Sequence, residues 1–190
     1  MEDSLTKIRH ERSKKDFPGL KLEDDEYVEF AFKRAKICLL LVWCGVAAGL
    51  IFVLIAFLIV VANQDKIDEM GRHFLMIILF TILAASVLIG LVATRIYDSN
   101  RLYITNKHVM QFLMVSLMSS SVNVIDLSSV EDASYRQDGI IQRLFHYGTF
   151  RLSTVGDETT YTFKYSDISP NVLKEVTKLI SEAKASKKDD

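Results

Sequence analysis

Cysteine and proline are scarce in this 190-residue chain, at two of each. Cys38 and Cys44 both lie in one apolar run without the spacing of a metal site, so they act as small apolar residues and no structural disulfide is expected. Charge of one sign is also lacking. The 23 basic and 24 acidic residues give a net charge of -1, which excludes a globally basic nucleic-acid binder that works by neutralising phosphates. His10, His73, His108 and His146 are scattered along the chain, and there is no Walker loop, dinucleotide glycine fingerprint or HExxH. Acid pairs such as Glu131-Asp132 and Asp157-Glu158 read as solvated turns. A catalytic site, a cofactor and a metal are therefore not expected.

The most telling absence is charge in two long stretches. Residues 37–62 contain no charged side chain, and seventeen of them are Leu, Ile, Val or Phe. Residues 74–94 are also charge-free, with thirteen such residues. At 1.5 Å rise per residue each is long enough for a hydrocarbon core of about 30 Å, so both are expected to be transmembrane helices. Residues 63–73 form a polar connection too short to be a domain, and the helices must run antiparallel. Because some 36 polar residues precede the first run, it is not expected to be a cleaved signal peptide. Neither run carries an interior Asp, Glu, Lys, Arg or His, which disfavours a transporter or pump.

Orientation follows from the cations. Lys21, Lys33, Arg34 and Lys36 precede the first run and Arg95, Arg101 and Lys107 follow the second, while the connection has only Lys66 and Arg72. Both termini are therefore expected to be cytoplasmic in a two-span protein of the cell membrane, and residues 63–73 extracytoplasmic. Gly45 and Gly49 form a GxxxG face, and Ser86 and Gly90 form a second small-residue face at similar depth. Such faces permit close helix packing, either within the hairpin or between copies in a homo-oligomer.

The N-terminal segment, residues 1–36, has nine basic and nine acidic residues. Through Lys15 it reads as a solvated arm, followed by a turn at Asp16-Phe17-Pro18-Gly19. The acids Glu23 to Glu26, the apolar Tyr27, Val28, Phe30 and Phe32, and then Lys33, Arg34 and Lys36 suggest a short interfacial helix entering the first span. Those last three cations are candidate contacts for anionic lipid.

From residue 95 the pattern changes to short β-branched and aromatic runs, which reads as an antiparallel β domain. Arg101 to Thr105 and His108 to Val115 form a hairpin about Asn106-Lys107. Val122 with Val124, Phe150 with Leu152, and Tyr161, Phe163 and Tyr165 alternate with polar residues as half-buried strands do. Thr154 to Thr159 reads as a hairpin loop. Ser169 and Pro170 open an amphipathic C-terminal helix whose stripe is Val172, Val176, Leu179, Ile180 and Ala183. Lys184, Lys187 and Lys188 complement its dipole, and Asp189 and Asp190 are expected to fray.

The segments Asn100-Arg101-Leu102-Tyr103-Ile104-Thr105-Asn106-Lys107-His108-Val109, Val124-Ile125-Asp126-Leu127-Ser128-Ser129-Val130-Glu131-Asp132 and Leu144-Phe145-His146-Tyr147-Gly148-Thr149-Phe150-Arg151-Leu152 follow the helical pair in order. Together they resemble the bacterial membrane-flanked pleckstrin-homology-like family, also called YdbS-like, over residues 23–183. The resemblance implies an α+β domain over 95–190, with a strongly bent seven-stranded antiparallel sheet or barrel capped by one helix. Gly148 suits a sharp re-entry into a strand, and Ile141, Leu144 and Phe145 are expected to cover the sheet. Inositide binding is not expected, because only Lys107, Arg101 and His108 surround the first turn. The twelve basic and twelve acidic residues from Arg95 onward also give no net pull toward lipid.

These features point to a non-enzymatic, membrane-anchored interaction or scaffold module that docks a protein partner, whose identity the sequence does not specify. The alternative is a protein that senses or organises anionic lipid through the hairpin and Lys33, Arg34 and Lys36. The bilayer is the partner common to both readings, and no nucleic acid is expected.

Overall fold

The computed structural model describes residues 2–154 and 160–188. The chain divides into two compact units, one made of Lys36–Tyr97 and the other of Met1–Ala35 together with Asp98–Asp190.

The first unit is a pair of helices. Helices α2 (Lys36–Ala62) and α3 (Glu69–Ser99) follow from the two charge-free runs, joined through a 3-10 turn at Gln64–Lys66. Both are long and apolar enough to cross a membrane. In α2 the buried side chains are Val46, Val53 and Val60. They are spaced by seven, so they form one seam of the kind that supercoiled helices bury.

The second unit begins with helix α1 (Glu2–Asp16) and strand β1 (Val28–Lys33). After the helical pair come β2 (Arg101–Thr105), β3 (His108–Ser116), β4 (Ser119–Asp126), β5 (Val130–Arg136), the short helix α4 (Ile140–Leu144), β6 (Gly148–Thr154), β7 (Thr160–Ser166) and helix α5 (Pro170–Lys188). The strands form two antiparallel sheets ordered β1-β2-β3-β4 and β5-β6-β7. Leu102, Ile104, Val109, Ile125, Phe150, Leu152 and Phe163 meet in the core between them. Helix α5 closes that core with Val176 and Ile180, while Val172, Leu179 and Ala183 pack alongside. Ser169 caps α5, its Oγ accepting from the Val172 amide, with Pro170 at the first helical position, where its missing N–H costs nothing. Lys184 and Lys187 tie the far end of α5 to the Glu131 carbonyl and to Asp126 and Ser128.

Several expectations are corrected. Residues 2–16 are not a solvated arm: α1 lies on β1, with the Val28 amide donating to the buried Ser13 hydroxyl and Arg9 paired with Glu29. No interfacial helix forms before α2. Val28, Phe30 and Phe32 alternate with Glu29, Ala31 and Lys33 as a strand, and this strand completes the sheet by pairing Lys33 with Arg101 and Val28 with Thr105. The β unit is therefore discontinuous in sequence, and the helical pair is an insertion between its first two strands. The seven strands also occupy two sheets rather than one. Val122 and Val124 are exposed, since the buried face of β4 is the one that carries Ile125. Ile141, Leu144 and Phe145 do not cover the sheet either; they too are exposed. The expected loop Thr154 to Thr159 lies, apart from Thr154, outside the described residues, as do Asp189 and Asp190.

Candidate functional site

Both faces of sheet β1-β2-β3-β4 carry apolar side chains. Its second face carries Tyr103, Met110, Phe112, Val122 and Val124, and Phe17 packs edge-on against Tyr103 with ring centroids 5.3 Å apart. The segment from Gly19 to Glu26 crosses this face but leaves its β4 side open. The result is a groove of about 410 Å³, walled by Met110, Phe112, Val122 and Val124 on the sheet and by Lys21 and Glu23 opposite.

Glu26 and His108 stand at one end of this groove. The Glu26 side chain is completely buried. Its Oε1 accepts from the Thr105 hydroxyl at 2.6 Å and from His108 Nδ1 at 2.9 Å, and its Oε2 accepts from the Glu23 amide at 2.9 Å. Burial pushes this carboxyl up, but the hydrogen bonds from Thr105, Glu23 and His108, with the charge on His108, outweigh it and hold the group below its ordinary range. The same residues fix the turn between β2 and β3. Thr105 Oγ1 accepts from the Lys107 and His108 amides, and the Asn106 side chain brackets the Tyr27 amide and the Asp25 carbonyl. Lys107 Nζ donates to the Asp24 carbonyl at 2.9 Å and lies 3.6 Å from Glu23. The cations near the first turn are thus engaged with the chain's own acids, and Arg101 sits at the opposite end of β2.

The groove opens beside β4, which pairs with β3 on one side and is an edge of the sheet. An unpaired edge presents backbone donors and acceptors that an extended chain can use. Among the described residues, no three His, Cys, Asp or Glu side chains converge as a metal would need.

The residues singled out from sequence fall elsewhere. Lys33 ends β1 beside Arg101, and Lys36 opens α2. Arg34 makes a backbone bridge to Ser166 and holds its guanidinium 5.9 Å over the Tyr165 ring. A Cβ on Gly90 would lie 3.1 Å from Val46 Cγ2 and 3.6 Å from the Trp43 ring, so this glycine is where α2 and α3 approach closely. Trp43 Nε1 donates to Thr94 Oγ1 at 3.1 Å in the same contact. Gly45 and Gly49 face open space, and the Ser86 hydroxyl donates to the Leu83 carbonyl within its own helix. The two small-residue faces therefore do not pack on each other within the hairpin; the valine seam of α2 takes that place. Glu26, Thr105 and His108 were missed as a group, because sequence separations of about 80 residues hide their convergence.

No family model matches the sequence, and neither does any curated protein. Among solved structures, the chain is similar to a crystal structure of a DUF1696 family protein with a pleckstrin-homology domain from Shewanella loihica PV-4. The likeness has a TM-score of 0.33 and 11% identity, over 45% of this chain and 70% of that one.

Proposed function

We propose that this protein is a non-enzymatic, membrane-anchored module with a pleckstrin-homology-like domain of the YdbS-like kind. In this reading it docks a protein partner at the cytoplasmic face by pairing an extended apolar segment of that partner with β4. The observation that carries the reading is the open β4 edge, with exposed Val122 and Val124 above the groove. Strand addition supplies affinity through main-chain hydrogen bonds, and alternate side-chain pockets supply selectivity. Two antiparallel meanders of four and three strands, followed by one closing helix, support the pleckstrin-homology-like assignment.

The distribution of Lys and Arg supports cytoplasmic termini. The pairing of β1 with β2 supports both ends of the helical pair emerging on the same side. The alternative, anionic-lipid recognition through Lys33, Arg34 and Lys36, has less support, because Arg34 is already stacked on Tyr165.

The test is a photo-crosslinking amino acid placed at Val122 or Val124 in the full chain in native membranes, with Lys178 on α5 as control. Adducts to one protein from the two β4 positions, lost when Val122→Asp and Val124→Asp are combined, are expected. A partner captured equally from Lys178, or adducts to lipid alone from β4, would refute the reading. Lipid enrichment that falls in the Lys33→Gln, Arg34→Gln, Lys36→Gln triple variant would favour the alternative.

A further inference from the structure

The two ends of the β unit differ in their exposed apolar side chains. At one end lie the turn Asn106-Lys107 and the 3-10 turn Leu127–Ser129, where Leu127 is buried. The other end is where the chain leaves for α2 and returns from α3. Here the end of β3 and the β3–β4 connection expose Val115, Leu117 and Met118, the last of them fully, and α4 and its exit expose Ile140, Ile141, Leu144 and Phe145. Ile140 is 85% exposed and Leu144 67%. Among the described residues, neither turn at the opposite end exposes a large apolar side chain.

Strand register fixes the location of both groups. Arg101, two residues after the end of α3, pairs with Phe112, and β3 continues past that row to Ser116 before turning. The Asn100 side chain brackets Met114, accepting from its amide at 3.0 Å and donating to its carbonyl at 3.1 Å. At about 3.3 Å per residue, the tip at Leu117 and Met118 reaches roughly 15 Å beyond the Arg101 row. On the second sheet, the Ala35 amide donates to the Tyr165 carbonyl at 2.6 Å. Ile37, the first residue of the charge-free run, follows two residues later, at most about 7 Å of extended chain. Tyr165 occupies a bulge at φ 62°, which turns its ring toward Arg34 and to within 6.2 Å of the Tyr147 ring. The Tyr147 amide in turn bonds the Gln142 carbonyl in α4. Ile140, Ile141, Leu144 and Phe145 fall on one side of that turn of helix, with Gln142 and Arg143 on the other.

We propose that this end of the β unit is a second membrane-contact surface, in which the β3–β4 tip and α4 seat their apolar side chains in the interface of the bilayer that α2 and α3 cross. The proposal rests on reading those helices as spans. It assigns the exposed apolar residues of α4, which take no part in the core, to the hydrocarbon boundary, with Arg143 at headgroup level. An aromatic such as Tyr165 suits the same depth.

Single cysteines that replace Met118, Leu144 or Ser186, in a chain carrying Cys38→Ala and Cys44→Ala, would each take an environment-sensitive fluorophore. The full chain is placed in phosphatidylethanolamine–phosphatidylglycerol nanodiscs with a nitroxide near the glycerol end of the acyl chain. Labels at 118 and 144 are expected to shift to the blue, to be quenched by the lipid nitroxide and to be protected from aqueous iodide. Ser186, beside the Lys187 that reaches Ser128 at the opposite end, should behave in the reverse way. Iodide quenching at 118 and 144 equal to that at 186 would overturn the proposal. Shielding from both quenchers would also overturn it, since that is the signature of a protein covering the patch. A label on native Cys44, with Cys38→Ala alone, separates the two levels. If it is lipid-quenched while 118 and 144 are not, only this inference fails. If it is not lipid-quenched, the spanning reading fails and the inference with it.

Discussion

Replacing Glu26 with alanine should release the N-terminal segment from the sheet. The carboxylate accepts three hydrogen bonds in a buried site, and its removal strands the Glu23 amide and His108 Nδ1. Breaking a buried, hydrogen-bonded acid in this way costs about 3–5 kcal/mol. At 1.4 kcal/mol per decade, that raises the population of locally opened molecules roughly 10²- to 10⁴-fold. Hydrogen exchange followed by mass spectrometry on the full chain in nanodiscs reads this directly. Peptides covering 17–33 should exchange faster by that order, while peptides from β5 and β6 keep their protection. Glu26→Gln retains one acceptor oxygen and should show a smaller effect in the same direction. Because the folded carboxyl titrates below its ordinary value of 4.5, its stabilisation is fully present above that pH and is lost as pH falls through the lower folded value. Protection of 17–33 should therefore hold from neutral pH down to the ordinary carboxylate value and drop below it. Unchanged exchange in Glu26→Ala would refute the claim that this carboxylate latches the segment.

Gly148→Ala should weaken the pairing of β5 with β6, because the added Cβ would clash with the Arg136 carbonyl oxygen and lie 2.8 Å from the Tyr135 ring. Overpacking of this kind costs about 1–3 kcal/mol, and faster exchange across residues 130–154 would show it. Gly90→Leu should displace Trp43 from α3 and shift the emission of this single tryptophan, whereas Gly45→Leu should leave it in place, since Gly45 faces open space. Equal spectra for the two variants would count against the packing described for α2 and α3.

The elements legible in the sequence were those whose signal is local. The charge-free runs gave both long helices, the Asn106-Lys107 pair gave its hairpin, and Ser169-Pro170 with the stripe through Val176 and Ile180 gave α5. Strand β1 was visible as the alternation of Val28, Phe30 and Phe32, but the acids before it and the cations after it imitate the charge pattern of a helix. Its partner β2 is also separated from it by the whole helical pair. Helix α1 is held by polar contacts, Ser13 to the Val28 amide and Arg9 to Glu29, which hydrophobic periodicity does not register. The groove beside β4 needs Gly19 to Glu26 and the β3–β4 pair on one face, and the Glu26 cluster needs residues 26, 105 and 108 together. No spacing rule announces either. Ile141, Leu144 and Phe145 were correctly seen as apolar, yet composition alone does not say whether an apolar turn faces the protein or its surroundings.

The insertion of the helical pair between β1 and β2 orders events during synthesis. Strand β1 leaves the ribosome first, but its partner is about 67 residues behind. At roughly 5–20 residues per second, β1 waits about 3–13 s before β2 exists. Throughout that interval Phe30 and Phe32 have no sheet to join, and both apolar helices are synthesised before the first ladder can close. If the two helices cross the bilayer as proposed, closure of β1 onto β2 requires that the second helix has returned the chain to the side it started from. A chain whose second helix failed to insert would be left with an orphan strand, the kind of exposed edge that quality-control proteases and chaperones engage.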